Sequence, residues 1–148
     1  MSWKVTDCRF PETTECKSIE DFPEGCIGFI YMIFDANGKM YIGQKSLYSM
    51  RKKNFGKRKL AEITDKRKKT YEIVKSESNW LTYTGSNKTL NENIKNGLSV
   101  SKLILHFCFS KKQLSYYEVK EMMVHGVLED PVNYYNDNIL GKFYSRDL

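Results

Sequence analysis

The run from Ile27 to Phe34 reads Ile-Gly-Phe-Ile-Tyr-Met-Ile-Phe, dense in residues that favour strands. Asp35-Ala36-Asn37-Gly38 interrupts it with turn chemistry, and Lys39 to Gly43 resumes it, so the segment predicts a β-hairpin. Because strand side chains alternate, Tyr31 and Ile33 fall on one face and Ile30 and Met32 on the other. Val100 to Phe109, dominated by Val, Leu, Ile and Phe, predicts a third, largely buried strand. Asn79 to Ser86 reads as a loop ending in an N-cap. Lys88 to Asn96 then predicts a short helix stopped by Gly97, with Leu90 and Ile94 turned to the core. Ser110 caps a longer helix, Lys111 to Gly126, with Leu114, Tyr117, Met122 and Val124 among its inward positions.

Two stretches carry no clear period. Residues 1–26 mix Pro11, Pro23 and isolated aromatics, which predicts an irregular arm contributing one short strand. Ser46 to Ser78 is a long basic connection in which Lys57 to Thr64 and Lys66 to Lys75 favour helix and contain no proline. The expected fold is therefore α+β: a small three-stranded antiparallel sheet flanked by helices, spanning residues 27–148, with a basic insertion at about 46–79. At 148 residues the chain suits one domain, able to fold without disulfides or a structural metal.

Composition narrows the class. The chain holds no run of roughly 18 apolar residues, and Met1-Ser2-Trp3-Lys4 leads into polar sequence, so neither a membrane span nor a secretory leader is expected and the cytoplasm is the expected compartment. Cys8, Cys16, Cys26 and Cys108 lack the short paired spacings of a zinc site and read as free thiols; a metal site built on the first three would lack a fourth ligand nearby.

The net charge of +6 is unevenly spread. From Arg51 to Lys69 ten basic residues face only Glu62 and Asp65, a local +8 that leaves the rest of the chain at −2. Such a concentration suits a polyanion, whose condensed counterions are released on binding. Lys52, Lys53, Lys57, Arg58, Lys59, Arg67, Lys68 and Lys69 are the candidate phosphate contacts. Trp80 and Tyr83, just beyond, are candidates to touch bases or sugars.

Gly28-Phe29-Ile30-Tyr31 and Tyr41-Ile42-Gly43, with their tyrosines ten residues apart, resemble the paired motif of the GIY-YIG nucleases. With Ile30-Tyr31 in register the family's first glycine falls at Phe29, one position after Gly28; the second motif is intact. The resemblance continues downstream through Lys45, an arginine expected at the start of the next helix (Arg51, with Arg58 as fallback), and a helical glutamate after the third strand. Glu118 suits that last place better than Glu121. It ends at a tyrosine-asparagine pair, Tyr135-Asn136, with Asn138 as the weaker alternative. The segment Trp80 to Gly97 resembles the middle of stand-alone members of phage type. Some members carry a histidine near this point and this chain does not, which leaves the tyrosines as acid-base groups; His106, inside the third strand, reads as structural.

The resemblance implies a metal-dependent DNA endonuclease acting in the cytoplasm, that of a bacterial host if the chain is phage-encoded. Tyr31 or Tyr41 would orient and deprotonate the attacking water, Arg51 would grip the scissile phosphate, and Glu118 would hold one Mg²⁺ or Mn²⁺. A free phenol, with a pKa of about 10, is a poor base at neutral pH, so Lys45, Arg51 or the metal must lower it. Asn136 would secure the site. A homodimer that cuts both strands is compatible with the sequence, and backbone-directed recognition leaves RNA open beside DNA. The alternative is a non-catalytic nucleic-acid-binding protein that retains the fold.

Overall fold

The computed structural model describes residues 2–148. Strands β3 (Gly28–Asp35) and β4 (Met40–Ser46) form the expected hairpin, with Tyr31 opposite Gly43 and Ile33 opposite Tyr41. Its turn is locked by Asp35, whose Oδ1 accepts the backbone N–H groups of Asn37 and Lys39 at 2.8 and 3.0 Å, while Gly38 supplies the left-handed residue at φ +85°. β7 (Val100–Cys108) pairs antiparallel with β3 on the other side.

The sheet is larger than the three strands expected. β1 (Trp3–Val5) joins β7 in parallel and β2 (Glu15–Cys16) pairs with β1, giving a five-stranded mixed sheet in the order β2-β1-β7-β3-β4. The N-terminal segment thus contributes two short strands, one more than expected, at an edge of the sheet. Its strands are too short to show a period, and tertiary contacts hold them. Trp3 is fully buried, and the buried Asp7 carboxylate accepts the Phe107 N–H at 2.9 Å and pairs with Arg9 at 2.7 Å.

Each face of the sheet has its own core. Ile30, Met32 and Ile42 meet Leu114 and Met122 of α3 (Lys111–Val124), together with Val127 and Leu128 beyond it. Ser110 caps α3 as expected, its side chain accepting the Gln113 N–H. Val124 does not turn inward as expected and is 72% exposed. Met122 is inward as expected, and Val124, two residues on, lies about 200° further around the helix. On the opposite face Trp3, Phe22, Phe29, Tyr31, Trp80 and Phe107 pack edge to face. α2 (Lys88–Lys95) is capped by Asn87, one residue later than expected, and stops before Gly97 at φ +102°. The four cysteines are free thiols, with Cys16, Cys26 and Cys108 buried.

After a 3-10 turn the tail runs along the open edge of β4. Met40 donates to Asn133 O and accepts from Tyr135 N, each at 2.8 Å. The short pair β8 (Asn138–Ile139) and β9 (Phe143–Tyr144) follows.

Residues Tyr48–Ser78 form a separate unit. β5 (Tyr48–Asn54) and β6 (Tyr71–Glu77) pair antiparallel through seven residues each, and α1 (Lys57–Ala61) lies between them. This corrects the expectation of helix from Lys66 to Lys75. Tyr71, Ile73 and Val74 favour strands, and a paired partner strand overrides a weak helical propensity.

Candidate active site

β4 is the edge strand of the five-stranded sheet, so side chains from both faces reach the same open flank. Tyr31 and Tyr41 come from one face, their ring centroids 6.2 Å apart. The Tyr31 ring lies across Gly43, and a Cβ there would sit 2.7 Å from Tyr31 Cζ. Gly85, at φ +86°, similarly gives way to the Tyr41 ring, where a Cβ would meet Cε1 at 2.9 Å. Glu118 comes from the α3 side, where the Gln44 side chain hydrogen-bonds to its carboxylate.

Tyr41, Glu118 and Asn136 line a polar cavity of about 410 Å³ with Ser86, Asn87, Lys88 and Thr89 at the start of α2. The positive end of that helix therefore borders the cavity, a place suited to an anion. Asn136 is buried and clamps β4, its Oδ1 accepting the Ile42 N–H at 3.0 Å and its Nδ2 donating to Ile42 O at 2.8 Å. The amide thus satisfies an edge strand as a neighbouring strand would. Asn138 lines the same cavity and accepts the Gly141 N–H. Glu121 instead lies 3.5 Å from His125, so of the two helical carboxylates Glu118 is the one at the cavity.

Burial dominates the electrostatics. It pushes Tyr31, which is 1% exposed, far above the ordinary phenol range, with Tyr41 and Tyr83 adding to the shift. Tyr41 is also raised by burial, partly offset by its 2.8 Å hydrogen bond with Ser86 Oγ. Glu118 is raised by burial too, against the Gln44 hydrogen bond that lowers it. Lys45 is lowered by burial. It donates to Asn79 Oδ1 at 2.7 Å and stacks over Tyr83 at 4.0 Å, bracing the loop that carries Gly85 and Ser86. Lys102, buried on the tyrosine face, braces the same loop by donating to Leu81 O at 2.8 Å.

A family model described as "Putative endonuclease segE, GIY-YIG domain" matches residues 12–139. The chain belongs to the GIY-YIG family. Comparisons with curated proteins and with solved structures return no match.

The GIY-YIG motif acquires a physical reading here. Gly43 is the glycine over which the first tyrosine passes, and Gly28 makes room for Leu114 of α3. Phe29, where the family places glycine, is fully buried against Trp3 and Phe22. Arg51 lies on strand β5 of the second unit rather than at the start of a helix, and Arg58 lies on α1 of that unit. Lys52, Lys53, Lys57, Lys59, Arg67, Lys68 and Lys69 belong to the same unit. Trp80 is not available to a base or sugar as expected: it is 1% exposed, packed on Phe22 at 4.9 Å. Tyr83 is partly exposed. His106 stacks on Tyr117 at 3.8 Å.

Gln44, Ser86, Asn87 and Lys88 were not singled out from sequence. The signal that could have found them is the order Tyr-Thr-Gly-Ser-Asn ahead of a short helix, which places a left-handed glycine and a cap side by side.

The donor set also bears on a metal. Among the described residues no three His, Cys, Asp or Glu side chains converge. One partly buried carboxylate beside asparagine oxygens suits a hard cation that keeps most of its waters.

Proposed function

We propose that this GIY-YIG protein is a metal-dependent DNA endonuclease that hydrolyses phosphodiester bonds at the Tyr41–Glu118–Asn136 cavity. The convergence of a tyrosine, a carboxylate and a helix N-terminus on one polar cavity supports this reading most directly. Glu118 would hold a single Mg²⁺ or Mn²⁺. When bound, such an ion relieves charge on the departing oxygen and acidifies a nearby water or phenol.

Tyr41 is the better placed of the two tyrosines to meet the attacking water, since Tyr31 is almost wholly buried. With its pKa pushed up, Tyr31 stays a neutral phenol that orients its neighbours by hydrogen bonding. Lys45 holds the flanking loop, and Asn136 keeps Ile42, and with it Tyr41, in place. Arg51, with the other cations of the hairpin unit, would contact the DNA backbone.

The test is plasmid nicking with Mg²⁺, with excess EDTA, and with Glu118→Ala. The reading expects nicking only for wild type with the metal, and loss of about 10² or more for Tyr41→Phe if it transfers a proton. Should wild type and Glu118→Ala both bind DNA while neither nicks it, the chain is a non-catalytic binding protein.

A further inference from the structure

The unit Tyr48–Ser78 carries eleven basic and four acidic residues, a net +7, so the rest of a chain of net +6 carries −1. Seven of those cations, Lys57, Arg58, Lys59, Lys66, Arg67, Lys68 and Lys69, sit in the connection between β5 and β6. The strands themselves differ in character. The pairs Met50–Lys75, Lys52–Ile73 and Asn54–Tyr71 alternate with Arg51–Val74 and Lys53–Glu72, so the first six residues share one face of the ribbon.

That face has a particular chemistry. Met50 and Ile73 are diagonal neighbours, 61% and 57% exposed. The lysines beside them lie down along the ribbon: Lys52 Nζ is 3.8 Å from the Tyr71 ring centre and Lys75 Nζ 3.9 Å from that of Tyr48. Their charges therefore frame the apolar pair and do not cover it, and Asn54 supplies an exposed amide beside it. A solvated basic hairpin has no need of exposed apolar side chains at its centre. The major groove of duplex DNA, about 12 Å wide, admits a two-stranded ribbon. It offers thymine methyls to apolar groups, an adenine edge to an asparagine amide, and guanine acceptors to lysines.

We propose that the β5–β6 ribbon is a sequence reader, entering the major groove with the Met50–Lys52–Asn54–Tyr71–Ile73–Lys75 face and selecting a block containing A·T pairs. The cations of the connection then take the phosphates. The inference shares with the nuclease reading only its premise that the substrate is duplex DNA.

The full-length Glu118→Gln protein is used to enrich bound fragments from a random duplex DNA pool, and wild-type cleavage with Mg²⁺ is scored separately. The expected result is an enriched motif with A·T positions. The motif weakens by about tenfold against scrambled duplex in Asn54→Ala and in the Met50→Ala/Ile73→Ala double variant, the range one lost base contact spans. Asn54→Asp should shift the amide's position from adenine toward cytosine, a change of preference that no loss of folding can mimic.

Retention of duplex without a motif, or a motif unchanged in all three variants, overturns the reader while leaving the nuclease intact. A motif that depends on the ribbon, with no wild-type cleavage, overturns the nuclease and leaves the reader. If no duplex is retained, the reader falls, and wild-type cleavage alone decides the nuclease.

Discussion

Gly43 and Gly28 each make room for a side chain from another element, and the consequence is testable at single positions. A methyl at 43 collides with the Tyr31 phenol, which is itself packed in the aromatic core and has no room to retreat. Gly43→Ala is therefore expected to destabilise by about 2 kcal/mol, as overpacked cores do, and to reduce nicking further by moving Tyr31; denaturant melts and nicking rates measure the two effects. Glu118 costs stability by a different route, the burial of a charge. Its carboxyl is raised by burial, so between the unfolded and folded pKa values the folded state binds more protons, and stability falls as pH rises through that window. Glu118→Gln should accordingly raise Tm at neutral pH while abolishing metal-dependent nicking. Since a cation binds the ionised form, protons compete with the metal, and the metal concentration for half-maximal nicking should rise as pH falls through the acid range; a metal requirement independent of pH counts against Glu118 as the ligand.

Among elements, β4 shows how an edge strand becomes a site. The outer backbone groups of Met40 and Ile42 are met by Asn133, Tyr135 and the Asn136 amide in place of a sixth strand, so this part of the edge is satisfied while the flank stays open to a ligand. Asn136→Ala would leave the buried N–H and C=O of Ile42 without partners, at a cost of about 2 kcal/mol or more. Thermal melts should register that loss, and hydrogen exchange should locate it at Ile42; unchanged exchange there would remove the clamp. The hairpin tyrosines and the helical glutamate were legible because strand-forming runs, a turn and the Ser110 cap announce their elements, whereas Asn136 lies in the irregular tail and was legible only through its Tyr-Asn pair. The pairing of Gly85 and Ser86 with Tyr41 was not legible, since it joins positions more than forty residues apart through a loop that has no period.

Over the whole molecule, the candidate site and the positive charge are divided between two units, with the cavity in one and a net +7 in the other. DNA affinity should consequently fall steeply with salt. Replacing Lys57, Lys59, Lys68 and Lys69 by Gln should reduce the slope of log affinity against log salt by about 3 to 4 if each cation neutralises one phosphate. A slope unchanged by the four substitutions would take the hairpin out of the interface. No helix of the described residues is long and apolar enough to cross a membrane.

What the sequence determined by itself was local and periodic. It contained the β3–β4 hairpin with its Asp-Ala-Asn-Gly turn, the strand from Val100, the Ser110 cap of α3, and a basic segment whose composition called for a polyanion. Alternation, capping and charge are properties of neighbouring residues, so they can be read without a fold. Only tertiary structure decided the rest. It recruited Trp3–Val5 into the sheet, turned Lys66–Lys75 from expected helix into part of a ribbon, and buried Trp80. It also brought Tyr41 and Glu118 from opposite faces to one edge. Each of these depends on a partner distant in the chain, whose packing and hydrogen bonds outweigh the few tenths of a kcal/mol of local propensity.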